Sequence, residues 1–165
     1  MKRSGLPPLL KTIKDGNITW ERLEGVDHDT LGYLLSCHLI IEHYLTEALK
    51  SRSWPLDELQ WDAARLSFSQ KVRIVPPSML GQISSLIPCL KHLNSLRNKF
   101  SHDIAFRLSG DDLAPLSGFL KDLIRSPEEV PSGAIEILEM FTAVACSGFA
   151  GYIARGAHEF KPSRS

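Results

Sequence analysis

The chain has 165 residues, 43% apolar and 23% charged, and its 19 basic and 19 acidic side chains give a formal net charge of +0. This length suits one domain (1–165) with a single sizeable core, and the composition excludes a disordered chain. Neutrality excludes a global pull toward nucleic acid or anionic lipid, so any RNA contact must come from a local patch. Cys37, Cys89 and Cys146 are widely spaced in helical patterns, as expected of buried reduced thiols in a cytoplasmic protein, and no Cys-x-x-Cys pair suggests zinc. Met1-Lys2-Arg3 leads into no continuous apolar run, so no signal peptide is expected.

Residues 1–26 carry Pro7-Pro8, Gly16-Asn17 and Gly25 and read as short helical turns, Leu9–Lys14 and Thr19–Glu24. Asp27 or Asp29 then caps a first long helix, about Thr30–Ser51, with Leu31, Leu34, Leu35, Ile41, Leu45 and Leu49 on its apolar face. His38 and Glu42 break that face one turn apart. A carboxylate turned toward a core needs a charge or good hydrogen bonds, and Arg97 is the expected partner of Glu42, with His38 close by.

Trp54-Pro55 ends this helix, Leu56–Leu66 forms the next, and Ser67-Phe68-Ser69 allows a break before a helical turn or two over Gln70–Val75. A helix from about Ser78 to His102 follows, kinked or divided at Pro88. Asp111 or Asp112 caps a short helix reaching Ile124, and Ser126–Pro131 is a proline-punctuated loop. Ser132 caps the last long helix, about Gly133–Gly156, whose small-residue middle (TAVACSGFAGYIA) lets another helix approach closely. Glu136 and Glu139 in its first turns argue against a membrane span and for burial in a bundle or a dimer seam. Residues 160–165 read as a flexible tail. No persistent alternation with a period of two is read, so the expected fold class is all-α: a bundle of three long helices with several short ones.

The most pointed stretch is CLKHLNSLRNKFSHD, Cys89 to Asp103. Leu90, Leu93, Leu96 and Phe100 recur at steps of three and four and form one buried face. At about 100° per residue, Arg97 falls about 40° from Leu93, at the edge of that face, and His102 falls nearly opposite. Asn98 lies one turn below His102, within reach of it.

Arg97-Asn98-Lys99-Phe100-Ser101-His102 resembles the signature of HEPN domains, an arginine followed by a polar residue and, a few positions on, a histidine near a helix end. LRNKFSH is especially similar to the branch around the mannitol operon repressor. LLSCHLIIEHYLTEALK and LSFSQKVRIV extend the likeness, in pattern, over roughly Leu31 to Asp103. The resemblance implies a HEPN-like helical bundle, acting as a homodimer, and in the enzymatic members a metal-independent endoribonuclease of toxin–antitoxin type. RNA carries its own nucleophile, the 2′-hydroxyl, so such a site needs an acid or base near neutral pKa and a cation for the phosphorane charge. Carried over, His102 is the general acid/base and Arg97 the phosphate clamp. Asn98 orients His102 or binds RNA, and Lys99 and Arg107 supply a basic rim. An antitoxin or a regulatory protein would be the partner.

The same residues also have a plainer reading. Arg97 can be the buried partner of Glu42, and His102 a helix-end residue favoured by the dipole there. Toxin-type members place a tyrosine two residues after the histidine, where this chain has Ile104. That departure, with the neutral charge and the lack of an aromatic-plus-basic stripe, leaves open a non-catalytic regulatory or scaffold dimer resembling the mannitol operon repressor. His38 and His43 lack the order and spacing of a His-Glu-x-x-His site and project from different faces, so neither a metal nor another cofactor is expected. His28 and His92 read as surface residues.

Overall fold

The computed structural model describes residues 9–14, 17–21, 28–51, 65–103 and 105–159. These fold as an all-α bundle preceded by one β-hairpin. In the hairpin, β1 (Leu9–Lys14) pairs antiparallel with β2 (Asn17–Glu21). The register runs from Lys14↔Asn17 to Leu9↔Glu21, with an irregularity between Leu10 and Thr12. The helical turns expected at Leu9–Lys14 and Thr19–Glu24 are therefore strands as far as Glu21; residues 22–24 lie outside the described residues. Thr12, Ile13, Ile18, Thr19 and Trp20 favour extended backbone, and only Asp15-Gly16, a dipeptide favoured in two-residue hairpin loops, separates the paired ends.

Helix α1 (His28–Lys50) and helix α6 (Ala134–Glu159) are the longest elements and pack extensively together. Along α1, Leu34, Ile41 and Leu45 are fully buried and Leu49 nearly so, while Leu31 and Leu35 stay half-buried. Asp29 lies inside the first turn of α1, which rules it out as the cap; the alternative, Asp27, lies outside the described residues. So do the Trp54-Pro55 stop, the Leu56–Leu66 helix up to residue 64 and the 160–165 tail. Arg65 and Leu66, the described end of that expected helix, are not helical.

Helix α2 (Phe68–Arg73) is set by Ser67, whose side chain accepts from the Gln70 amide while the Gln70 side chain accepts from the Ser67 amide. Helix α3 (Pro77–Leu80) starts on a proline, tolerated at a first helical position, and stops at Gly81, whose φ of 55° suits glycine. A 3-10 turn, Gly81–Ile83, leads to helix α4 (Leu86–His102). The division expected at Pro88 thus falls at Gly81–Ser85. Pro88 sits in the first turn of α4, where a missing amide costs no intrahelical bond.

Helix α5 (Ala114–Leu123) follows a 3-10 turn, Asp111–Leu113. Neither Asp111 nor Asp112 precedes this turn as a cap; Asp112 instead exchanges hydrogen bonds with Ser109. At the start of α6, the Gly133 carbonyl accepts the Ile137 amide, so Gly133 takes the cap position expected of Ser132. The Glu136 carboxylate folds back to the space a Cβ at Gly133 would fill, the reason a glycine suits that position.

The core joins α1, α4, α5 and α6 through fully buried Leu34, Ile41, Leu45, Leu90, Leu93, Leu96, Leu116, Leu120, Phe141 and Phe149. Each contributes roughly 1.5–3 kcal/mol relative to exposure. The span Ala134–Gly156 has the length and hydropathy of a membrane helix, but Leu138, Phe141, Ala145 and Phe149 on its inner side are core residues. Its glycine content has a local reason too: a Cβ at Gly148 would come within 2.6 Å of Ile83 Cδ1.

Candidate functional site

Helix α4 carries both halves of the site because its two sides meet different surroundings. Leu90, Leu93 and Leu96 are fully buried, and Phe100 is half-buried against Phe106, ring centroids 4.8 Å apart. Arg97, Asn98, Ser101, His102 and Asp103 are exposed. Asp103 ends the helix in an extended conformation, and its Oδ1 accepts the Ala105 amide (3.0 Å), an Asx-type turn that redirects the chain. His102 is thereby left at the rim, in the last turn, where the helix dipole favours a cation.

The Glu42–Arg97 pair expected from the sequence is not formed. Lys71 Nζ donates to Glu42 Oε1 at 2.7 Å, with side chains 15% and 25% exposed, so the carboxylate is satisfied from α2. The reason is a match of periods. His38 and Glu42 stand one turn apart on α1, and Phe68 and Lys71 stand one turn apart on α2. Phe68 sits on the His38 ring, centroids 4.3 Å apart, as Lys71 sits on Glu42. Arg97, with no buried carboxylate to meet, is exposed rather than pressed into the core, and its Nη1 donates to Asn98 Oδ1 (3.2 Å). Asn98 is therefore engaged with Arg97, not with His102.

His38 does lie close to this group. It is 5% exposed, and its Nε2–H donates to Asn94 Oδ1 (3.2 Å), tying α1 to α4. Burial holds its pKa below the ordinary histidine value, against the Asn94 bond and the Glu42 carboxylate, and the Arg97 and Lys71 charges push it the same way as burial. His38 is thus a neutral core residue at neutral pH. Of the two residues that complete the junction, Asn94 stands in the polar cluster of the CLKHLNSLRNKFSHD stretch without its partner being legible there, and Lys71 was missed; a lysine three residues after Phe68 was the available signal.

Lys99 and Arg107, the expected basic rim, differ in setting. Lys99 Nζ lies 3.7 Å from Asp112 Oδ1 and 5.4 Å from the Phe106 ring centroid, which pins the segment after α4 back along the helix. Asp112 also accepts from the Ser109 hydroxyl and amide, which hold its carboxyl below the usual range, and the Asp112 carbonyl accepts from His92 Nε2–H at 2.6 Å. His92 is accordingly half-buried rather than a plain surface residue. Arg107 is exposed.

Burial raises the Cys37, Cys89 and Cys146 thiols, which keeps them protonated and inert. His43 is exposed while His38 is buried, and among the described residues no three histidine, cysteine or acidic side chains gather in a group able to hold a metal. A shallow cavity of about 350 Å³ between α1 and α6 is lined by Tyr33, Cys37, Ile40, Tyr44 and Cys146. Ile40 stands about 200° round α1 from His38, so this cavity belongs to the opposite side of the helix.

Arg97 and His102 are five positions apart, about 140° round α4. One copy therefore presents a guanidinium and an imidazole on one exposed helix end but on diverging sides of it. Compared with protein-family models, curated proteins and solved structures, the chain matches none of them.

Proposed function

We propose that the exposed end of α4 is an RNA-binding surface and that two copies of the chain, meeting there, form a HEPN-like metal-independent endoribonuclease. The observation that carries this reading is that Arg97 and His102 are both exposed while the core's polar needs are met by others, Glu42 by Lys71 and His38 by Asn94. A guanidinium not spent on the core is available for a phosphate, which it grips with paired N–H groups.

In the proposed reaction His102 of one copy takes the proton of the RNA 2′-hydroxyl, whose oxygen attacks phosphorus. The bond to the 5′-oxygen breaks, and the protonated His102 of the second copy gives that oxygen its proton. Arg97 stabilises the charge on the phosphorane. The divergence of Arg97 and His102 about one helix is the reason two copies are needed.

The second reading, a non-catalytic regulatory or scaffold dimer, is favoured by a separate observation: Lys99 is engaged with Asp112 and Phe106, which weakens the basic rim. One experiment separates the two. Purified protein is incubated with single-stranded RNA and a metal chelator, and cleavage is followed for wild type, Arg97→Ala and His102→Ala. The nuclease reading expects cleavage by wild type and a loss of about a hundredfold or more in each variant, at unchanged Tm. No cleavage by wild type, or equal cleavage by His102→Ala, overturns it and leaves the scaffold.

A further inference from the structure

The junction of α1, α2 and α4 contains a device that the proposed activity does not use. Among the described residues, His38 is the only histidine, acidic or basic side chain that is buried. It holds two neighbours at once, α4 through Asn94 and α2 through the face of Phe68. The groups that face it are Glu42 on its own helix, Lys71 on α2 and Arg97 on α4. Two of these three are permanent cations at neutral pH, and the single carboxylate is already held by Lys71 at 2.7 Å.

We propose that His38 is a proton-operated latch for α2: neutral, it seats α2 against α1 and α4, and protonated, it draws Glu42 away from Lys71 and releases α2. A second positive charge in this place is opposed by lost hydration and by Lys71 and Arg97. Among the described residues Glu42, four residues along α1, is the anion it can recruit, and doing so breaks the ion pair that clasps α2.

Helix α2 is suited to be the part that moves. It has six residues, too few to persist as a helix away from the bundle, so release means melting. Its anchorage is Phe68, Val72 and the Lys71 ion pair. Three residues before it stands Arg65, a non-glycine residue at φ 41°. Linkage fixes the direction. The docked state holds the His38 pKa below its ordinary value of 6.5, so falling pH favours the undocked state, starting near the ordinary value. At about one unit below that value, the gain in open population is at most about tenfold.

Amide hydrogen exchange of the full chain, corrected for intrinsic rates, tests this between about pH 7.5 and about pH 5.5, alongside NMR titration of the His38 ring. Protection at Lys71 to Ile74 is expected to fall, by at most about tenfold, from near the ordinary histidine value downward, while α5 keeps its protection and the docked His38 ring titrates below that value. His38→Gln, which retains a donor for Asn94 but cannot titrate, is expected to abolish the pH dependence. If that variant does not fold, Lys71→Met serves instead: it removes the clasp and should leave α2 open already at neutral pH. Loss of protection spread evenly over α1, α5 and α6, the same pH-dependent loss in His38→Gln, or an unchanged α2 overturns the latch.

Discussion

Lys71 closes on Glu42 at 2.7 Å, and this contact decides what Arg97 is free to do. A carboxylate one turn from a buried histidine needs a cation. Two helices could have supplied it, α2 or α4. Because α2 supplies it, the arginine of α4 remains at the surface.

Stability should follow that assignment. Lys71→Met leaves Glu42 in a partly buried place without its cation and is expected to cost about 1–2 kcal/mol, between the values of exposed and buried pairs. Arg97→Ala should stay within about 0.5 kcal/mol of wild type. Urea unfolding of the two variants checks the order; a larger loss for Arg97→Ala would mean that the arginine serves the core.

His102→Ala is expected to leave the Tm unchanged, because the ring is exposed in the last turn of α4 and its truncation removes no buried contact. A thermal scan beside the RNA cleavage assay distinguishes lost chemistry from lost fold. A variant that neither cleaves nor melts as wild type does would point to a structural histidine.

The break between α3 and α4 depends on one backbone angle. Gly81 has φ 55° and ψ −120°, a region closed to side chains with a Cβ, although open space surrounds the position. Gly81→Ala should therefore cost about 1–2 kcal/mol with no steric clash to relieve it. Circular dichroism melts measure it. A neutral or stabilising substitution would show that the turn tolerates another conformation.

Asp112 clamps the segment that follows α4 and is held below the usual carboxylate range chiefly by the Ser109 hydroxyl and amide, with Lys99 adding to the effect. A depressed carboxyl contributes stability that is present above its unfolded value near 3.8 and is lost as pH falls through the folded value. The segment from Ala105 to Leu113 should thus loosen in acid well below neutral pH, a window separate from that of His38. Asp112→Ala is expected to cost about 1 kcal/mol at neutral pH and to flatten this acid response, read by urea unfolding at several pH values.

Much of the fold was legible because periodic apolar residues report burial directly. Leu34, Ile41, Leu45 and Leu49 on α1 and Leu90, Leu93 and Leu96 on α4 were all readable from steps of three and four, and all are buried. The hairpin was misread as helix, although Asp15-Gly16 between β-branched runs carried the signal. Position within the site was legible only in part. The angular count put Arg97 beside Leu93, about 40° away, yet a long side chain at the edge of a buried face can turn outward when nothing inside needs it.

The sequence by itself determined the three long helices, the buried side of the first two, and the placing of an arginine and a histidine on one helix end. These follow from local periodicity and from residues that start and stop helices. Only the tertiary structure decided which cation meets Glu42 and which acceptor meets His38. Those pairings join α1 to helices 29 and 56 residues further along the chain, and local pattern does not encode which of two distant cations arrives.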